Sequence, residues 1–302
     1  MVMKYKSGYV AILGLPNSGK STLLNTILGQ KLAITNSKPQ TTRKKILGIL
    51  TEKDYQVIFL DTPGIIEPSY LLQERMMEQV ESSVKDADVL LILIDAYADP
   101  SGTRIFKTAF SKSLNRLKKN VVLIINKIDL IKQENTIKII KHFEDLKKFK
   151  AVIPVSALES FNIDRLIQII VDQLQEGPAF YPDNYVADEN ERFFVSEIIR
   201  EKILEQFSEE VPYSCEVLIA EFKEREGGKD YISAEIVVER DSQKAIIVGK
   251  GGSKIKKLGT FAREAVEDFL QRKVFLELRV KVRKNWRSDE NMLKSFGYSP
   301  DK

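Results

Sequence analysis

One cysteine, Cys215, and one histidine, His142, are all that the 302 residues hold of either type. A lone thiol cannot make an internal disulfide framework, and the two residues together cannot build a Cys/His metal cage. A Cys–His or Ser–His nucleophilic pair is not expected either, because His142 falls in a lysine-rich amphipathic helical pattern and reads as a surface residue. Long apolar runs are also missing. The longest, VLLILI at Val89–Ile94, is far short of the roughly 20 residues that cross a bilayer. The opening MVMKYKSGYVAI passes straight into a strand pattern with no signal-peptide apolar region or cleavage site, so a cytoplasmic location is expected. There is no internal repeat and no low-complexity tract.

What remains is an ordinary globular composition, 43% hydrophobic and 30% charged, long enough for two domains with separate cores. Its charge is uneven. From Ser242 to Lys302 there are 15 Lys and Arg against seven Asp and Glu, in a chain whose whole net charge is +4. The rest of the chain is therefore negative, and the basic end points to a polyanionic partner.

Five apolar runs, Tyr9–Leu13, Val57–Leu60, Val89–Ile94, Val121–Ile125 and Ala151–Val155, read as buried strands of a parallel sheet covered on both faces. Helical patterns alternate with them at Ser21–Leu28, Leu71–Lys85, Arg104–Leu117, Thr136–Lys148 and Ile163–Gln175. Lys44–Leu50 is expected to form an antiparallel edge hairpin with Val57–Leu60. The result is a doubly wound α/β domain with a mostly parallel sheet over residues 1–176. The stretch EGPAFYPDNYVADENER breaks the pattern and predicts a linker over 177–191. Beyond it the order α-β-β-α-α-β, with strands at Ser214–Ala220, Tyr231–Glu239 and Val274–Val282, predicts a smaller α+β domain over 192–302.

GLPNSGKS, from Gly14 to Ser21, matches the P-loop pattern with a strand before it and a helix after it. Backbone N–H groups from Gly14, Leu15, Pro16, Asn17, Ser18, Gly19 and on to Thr22 lie where phosphates would be cradled, except at Pro16, which has none. Lys20 reaches the β- and γ-phosphates, and the Ser21 hydroxyl ligates Mg²⁺. NKID places Asn126, Lys127 and Asp129 just after a strand, where the Asp129 carboxylate accepts from N1–H and the 2-amino group of guanine. VSA ends the next strand, putting Ser156 and the Ala157 N–H near the guanine O6. DTPG supplies Asp61, Thr62, Pro63 and Gly64, with Asp61 on Mg²⁺ through water and the Gly64 N–H sensing the γ-phosphate. Of Thr41 and Thr42, in PQTTRKK, Thr42 is favoured to complete the Mg²⁺ shell.

In this order, the five stretches resemble the translation-factor-related class of GTPases. Ile65 stands where Ras-like enzymes carry a water-orienting glutamine. No side-chain base is identified, so intrinsic hydrolysis is expected to be slow and to need a partner or a cation. Asn17 matches the position at which some related GTPases hold K⁺.

The second glycine cluster, VGKGGSK, is no P-loop, because no Ser or Thr directly follows a Gly-Lys pair at the right spacing. Gly249, Lys250, Gly251 and Gly252 form the G-x-x-G of a KH module, a clamp for single-stranded nucleic acid. Lys250, Lys254, Lys256 and Lys257 would contact phosphates, and Ile247, Val248 and Ile255 would floor the groove. The tail adds Arg283, Lys284, Trp286 and Arg287. Trp286 reads equally as a stacking platform or as a packing residue.

Together with KPQTTRKKILGI, EGPAFYP, SEIIREKIL, EEVPYS and LELRVKVRKNWRSDENMLKSFGY, these motifs make the chain resemble the bacterial Era GTPase family over nearly its whole length. Departures are mild: Ser18 replaces the usual valine, and Leu15 a frequent basic residue. The resemblance implies a GTP- and GDP-binding, Mg²⁺-dependent GTPase that binds the 3′ end of 16S rRNA and assists small-subunit maturation. It also implies peripheral association with the inner membrane; a monomer is expected. Two rivals are a non-catalytic RNA chaperone holding GTP as a structural ligand, which Ile65 keeps open, and a metabolic P-loop kinase, against which NKID argues.

Overall fold

The run KSGYVAILG becomes β1 (Lys6–Gly14), in which Val10–Leu13 are wholly buried. Val10, Ile12 and Leu13 each contribute roughly 1.5–3 kcal/mol by leaving water. The computed structural model describes residues 5–108 and 119–298. They divide into one unit of residues up to Pro68 with Arg75–Asp188, and another of Ser69–Glu74 with the residues from Glu189 onward.

In the first unit, β1 lies between β3 (Tyr55–Asp61) and β4 (Val89–Asp95), followed by β5 (Asn120–Asn126) and β6 (Ala151–Pro154). All these pairs are parallel. β2 (Ile46–Glu52) closes one edge as the antiparallel partner of β3. Helices α1 (Lys20–Leu28), α2 (Leu71–Asp86), α4 (Gln133–Asp145) and α5 (Ile163–Gln173) connect the strands, with the single turn α3 (Thr103–Phe106) after β4. α4 buries Thr136, Ile139 and Phe143 at helical spacing, and α5 buries Ile163, Leu166 and Ile170. The helix expected over Arg104–Leu117 lies largely outside the described residues.

The segment read as a linker is not free in its first part. β7 (Gln175–Glu176) pairs antiparallel with Lys6 and Ser7. The fully buried Gln56 then accepts from the N–H groups of Phe180 and Tyr181 and donates to the Tyr181 carbonyl. Ile49 N–H donates to Val186, and Ala187 bridges Gly48, so the strap covers the open edge of β2.

The second unit runs α6 (Glu191–Gln206), β8 (Glu216–Lys223), β9 (Asp230–Val238), α7 (Asp241–Val248), α8 (Ser253–Leu270) and β10 (Val274–Val282), then the short α9 (Glu290–Ser295). Its sheet has the order β10–β9–β8, parallel between β9 and β10 and antiparallel between β8 and β9. Val195, Ile199 and Ile203 of α6, Ile232, Ala234 and Ile236 of β9, and Leu258, Ala262 and Val266 of α8 share one core.

Candidate functional site

The carboxyl end of β1 opens into a cavity of about 470 Å³, lined by residues of the P-loop and by residues 34–37 and 40–42. Gly19 turns the chain into α1 at φ 95°, and a Cβ there would stand 2.2 Å from the Asn126 amide nitrogen. α1 has no side-chain cap, so its first N–H groups are left to face an anion. Lys20 is buried and donates to the Gly14 and Leu15 carbonyls at 3.3 and 3.1 Å. Burial lowers its pKa to about 8, against the pull of Asp61. Burial likewise raises Asp61 to about 6, opposed by Lys20 and by hydrogen bonds from Ser21, Thr62 and Thr42. Burial thus draws the two pKa values toward each other, at the place where a polyphosphate and its metal would meet both groups.

Three hard oxygens converge. Ser21 Oγ lies 2.8 Å from Thr42 Oγ1 and donates to Asp61 Oδ2 at 2.7 Å. Asp61 Oδ1 is buried and accepts no hydrogen bond. This donor set fits Mg²⁺, which takes few protein oxygens and keeps water and phosphate in its other positions. Among the described residues no group of three His, Cys, Asp or Glu offers a metal cage. Thr41 also lines the cavity, but its hydroxyl donates to the Lys38 carbonyl at 2.7 Å.

Asn126 is the brace: its amide donates to Ser18 O at 2.8 Å, and its Oδ1 accepts from Ala157 N–H at 3.1 Å. That second bond engages the Ala157 N–H, the group expected near the guanine O6, with the Asn126 side chain. Ser156 Oγ donates to Asp129 at 2.6 Å and orients the exposed carboxylate. Lys127 lines the cavity, anchored by Asp95 at 2.7 Å. Asp95 was not read from the sequence; an acid ending a buried strand is its only signal.

The place of the Thr62 hydroxyl differs from the expected one. The Thr62 hydroxyl donates to the Ile12 carbonyl at 2.7 Å, so it holds β1 and does not face a phosphate. Ser18 Oγ is buried without a partner, and Ser18 and Leu15 line a separate cavity of about 390 Å³ behind the P-loop. Pro16, Thr22 and Gly64 line the first cavity. Pro63 is buried, and Gly64 is fixed by space, since a Cβ would meet Pro16 at 2.8 Å. Ile65 is buried in the core, donates its N–H to Gly14 O, and has no polar side-chain atom with which to orient water. The Asn17 amide donates to Ser37 O at 2.6 Å. Asn25 also went unread, yet it shapes the loop after α1 by holding Leu32 and Ala33.

In the second unit, α7 ends at Gly249 (φ 71°), and Gly251 and Gly252 follow at φ 58° and 77°. A Cβ on Gly249 would sit 2.7 Å from Lys254 Cγ; on Gly251 or Gly252 it would meet nothing. Their glycines therefore answer to backbone conformation. α8 begins without a side-chain cap, leaving N–H donors beside exposed Lys250, Lys254, Lys256 and Lys257. Val248 and Ile255 are half-buried. Ile247 is wholly buried in the core, and Ile246 is the exposed neighbour. Trp286 is also wholly buried: Nε1–H donates to Ser214 O at 3.0 Å, and Phe296 packs 5.5 Å away. It is a packing residue. Arg287 is paired with Glu239, whereas Arg283 and Lys284 are exposed.

The family model described as 50S ribosome-binding GTPase matches residues 9–127, and that of the KH domain matches 210–287. GTPase Era of Clostridium botulinum (strain Hall) is 45% identical over 294 residues, covering 97% of this chain and 98% of its own. GTPase Era of Ruminiclostridium cellulolyticum is 44% identical over 300 residues, 99% and 100% of the two chains. A structure of an Aquifex aeolicus Era variant bound to GDP and AlF4⁻ superposes with TM-score 0.91 at 39% identity, covering 97% of this chain and 99% of that one. Era in complex with MgGDPNP and nucleotides 1506–1542 of 16S ribosomal RNA gives TM-score 0.92 at 39% identity, with 98% and 99% covered. With a P-loop unit and a KH unit in that order along nearly the full length of these relatives, the chain belongs to the Era family of GTPases.

Proposed function

We propose that this GTPase is a switch that binds single-stranded 16S rRNA near its 3′ end while carrying GTP and Mg²⁺, and so assists assembly of the small ribosomal subunit. The observation that carries the reading is the pair of uncapped helix N-termini, one following GLPNSGKS and one following VGKGG. Each presents backbone donors and lysine to an anion. Lys20, Ser21, Thr42 and Asp61 hold the phosphates and metal; Asn126, Lys127, Asp129 and Ser156 serve the base side. Mg²⁺, when bound, offsets charge on the β- and γ-phosphates.

Ile65, buried and apolar, does not orient the attacking water as a glutamine would, so intrinsic turnover is slow and rises with a partner. Exchange of Na⁺ for K⁺ raises turnover through Asn17. The basic C-terminal segment supports peripheral contact with the cytoplasmic face of the inner membrane, tested by co-sedimentation with anionic vesicles. Among the described residues, no helix is long and apolar enough to cross a membrane.

The test is phosphate release measured with and without an RNA carrying the 3′-terminal sequence of 16S rRNA. Turnover stimulated by RNA supports the switch. Negligible turnover under both conditions favours a chaperone that uses GTP only as a structural ligand.

A further inference from the structure

With Trp286 buried, the RNA-binding unit needs another aromatic surface if bases are to stack on it, and α8 carries one. Phe261 is 44% exposed, although the inner face of α8 is already filled by Leu258, Ala262 and Val266. Lys254, Lys257 and Phe261 follow one another at spacings of three and four residues, which places them on one helix face. The Lys257 ammonium lies 5.8 Å from the Phe261 ring centroid. Phe261 is eight residues into the helix, about 12 Å from the glycine loop by helical rise. Further along the same face Glu264 and Asp268 reverse the charge and bound the surface.

An exposed ring among lysines, continuous with a phosphate-holding loop, has the chemistry of a base platform with phosphate contacts on its flank. A membrane surface suits it less: one ring is a small apolar contact, and Glu264 and Asp268 would face anionic headgroups. We propose that Phe261 stacks an unpaired base of the bound strand just beyond the nucleotides held at Gly249–Gly252, with Lys254 and Lys257 on the neighbouring phosphates. This rests on the RNA-binding reading above and extends it to one more nucleotide position.

The experiment uses the full chain and two single-stranded RNAs from the 16S rRNA 3′ end. One is a four-nucleotide strand, the length a KH loop clamps, and the other is the same strand extended at both ends. Wild type is expected to bind the extended strand more tightly. Phe261→Ala is expected to lose about five- to hundredfold of that advantage and to leave the short-strand affinity unchanged. Phe261→Trp keeps the advantage, and its added indole emission is quenched by the extended strand alone. Wild-type affinity for the extended strand in Phe261→Ala overturns the proposal. So does a loss confined to phosphatidylglycerol vesicles, which assigns the ring to a membrane. If wild type binds neither strand, the RNA-binding reading itself fails and this proposal falls with it.

Discussion

The proposed choice of guanine rests on one side chain, Asp129. Its carboxylate is exposed, held by Ser156 Oγ at 2.6 Å, and offers only acceptors. Asp129→Asn exchanges one acceptor for a donor, which suits the 2-carbonyl of xanthine and opposes the 2-amino group of guanine. GTP affinity is expected to fall about ten- to hundredfold and XTP affinity to rise, as read by competitive nucleotide binding. Ser18 makes the opposite kind of prediction. Its buried hydroxyl has no partner, while the group that holds Asn126 is its carbonyl. Ser18→Val, with room toward the cavity behind the P-loop, is expected to stabilise the protein by about 1 kcal/mol in thermal unfolding and to leave GDP affinity unchanged. The convergence of Lys20, Ser21, Thr42 and Asp61 was legible because phosphate and metal chemistry admits few side chains at fixed spacing. Trp286, Ile247 and Phe261 were not, because an apolar residue in an amphipathic segment carries no mark of whether another element covers it.

At the scale of elements, strands formed within two or three residues of their apolar runs, since burial on both faces leaves little choice of boundary. β7 escaped notice because Gln175 and Glu176 are exposed and polar, and only backbone pairing with Lys6 and Ser7 makes them a strand. The strap after it depends likewise on one side chain. Gln56→Leu removes the acceptor of the Phe180 and Tyr181 N–H groups and the donor to Tyr181 O. Stability of the first unit is expected to fall by about 2 kcal/mol, with faster hydrogen exchange at both amides. In the second unit Glu267 ties α8 to β10, accepting from Lys273 at 2.9 Å and Val274 N–H at 3.1 Å, with Arg263 at 3.1 Å. Hydrogen bonding from Lys273, ahead of the other contacts, lowers its pKa from 4.5 to about 2. A depressed carboxylate stabilises the fold above its ordinary pKa and loses that contribution as pH falls from about 4.5 toward 2. Urea unfolding followed by the emission of buried Trp286, the chain's one tryptophan, is expected to show that loss in wild type and not in Glu267→Gln.

Over the whole molecule, charge and glycine are distributed by task. The first unit encloses its anion in a cavity, with a buried lysine and a set of hydroxyl and carboxylate oxygens. The second displays lysines around an open loop. A mononucleotide is held by enclosure; a polymer has to be reached along its length, and its binding releases counterions. The two activities are therefore expected to separate by mutation. The measurement that tests this most directly is the salt dependence of RNA affinity for wild type and the K250A/K254A double variant, with GDP affinity determined alongside. The expected result is weaker RNA binding with a log–log salt slope shallower by about 1.4, and an unchanged GDP affinity. RNA affinity and slope equal to wild type in the double variant would contradict it.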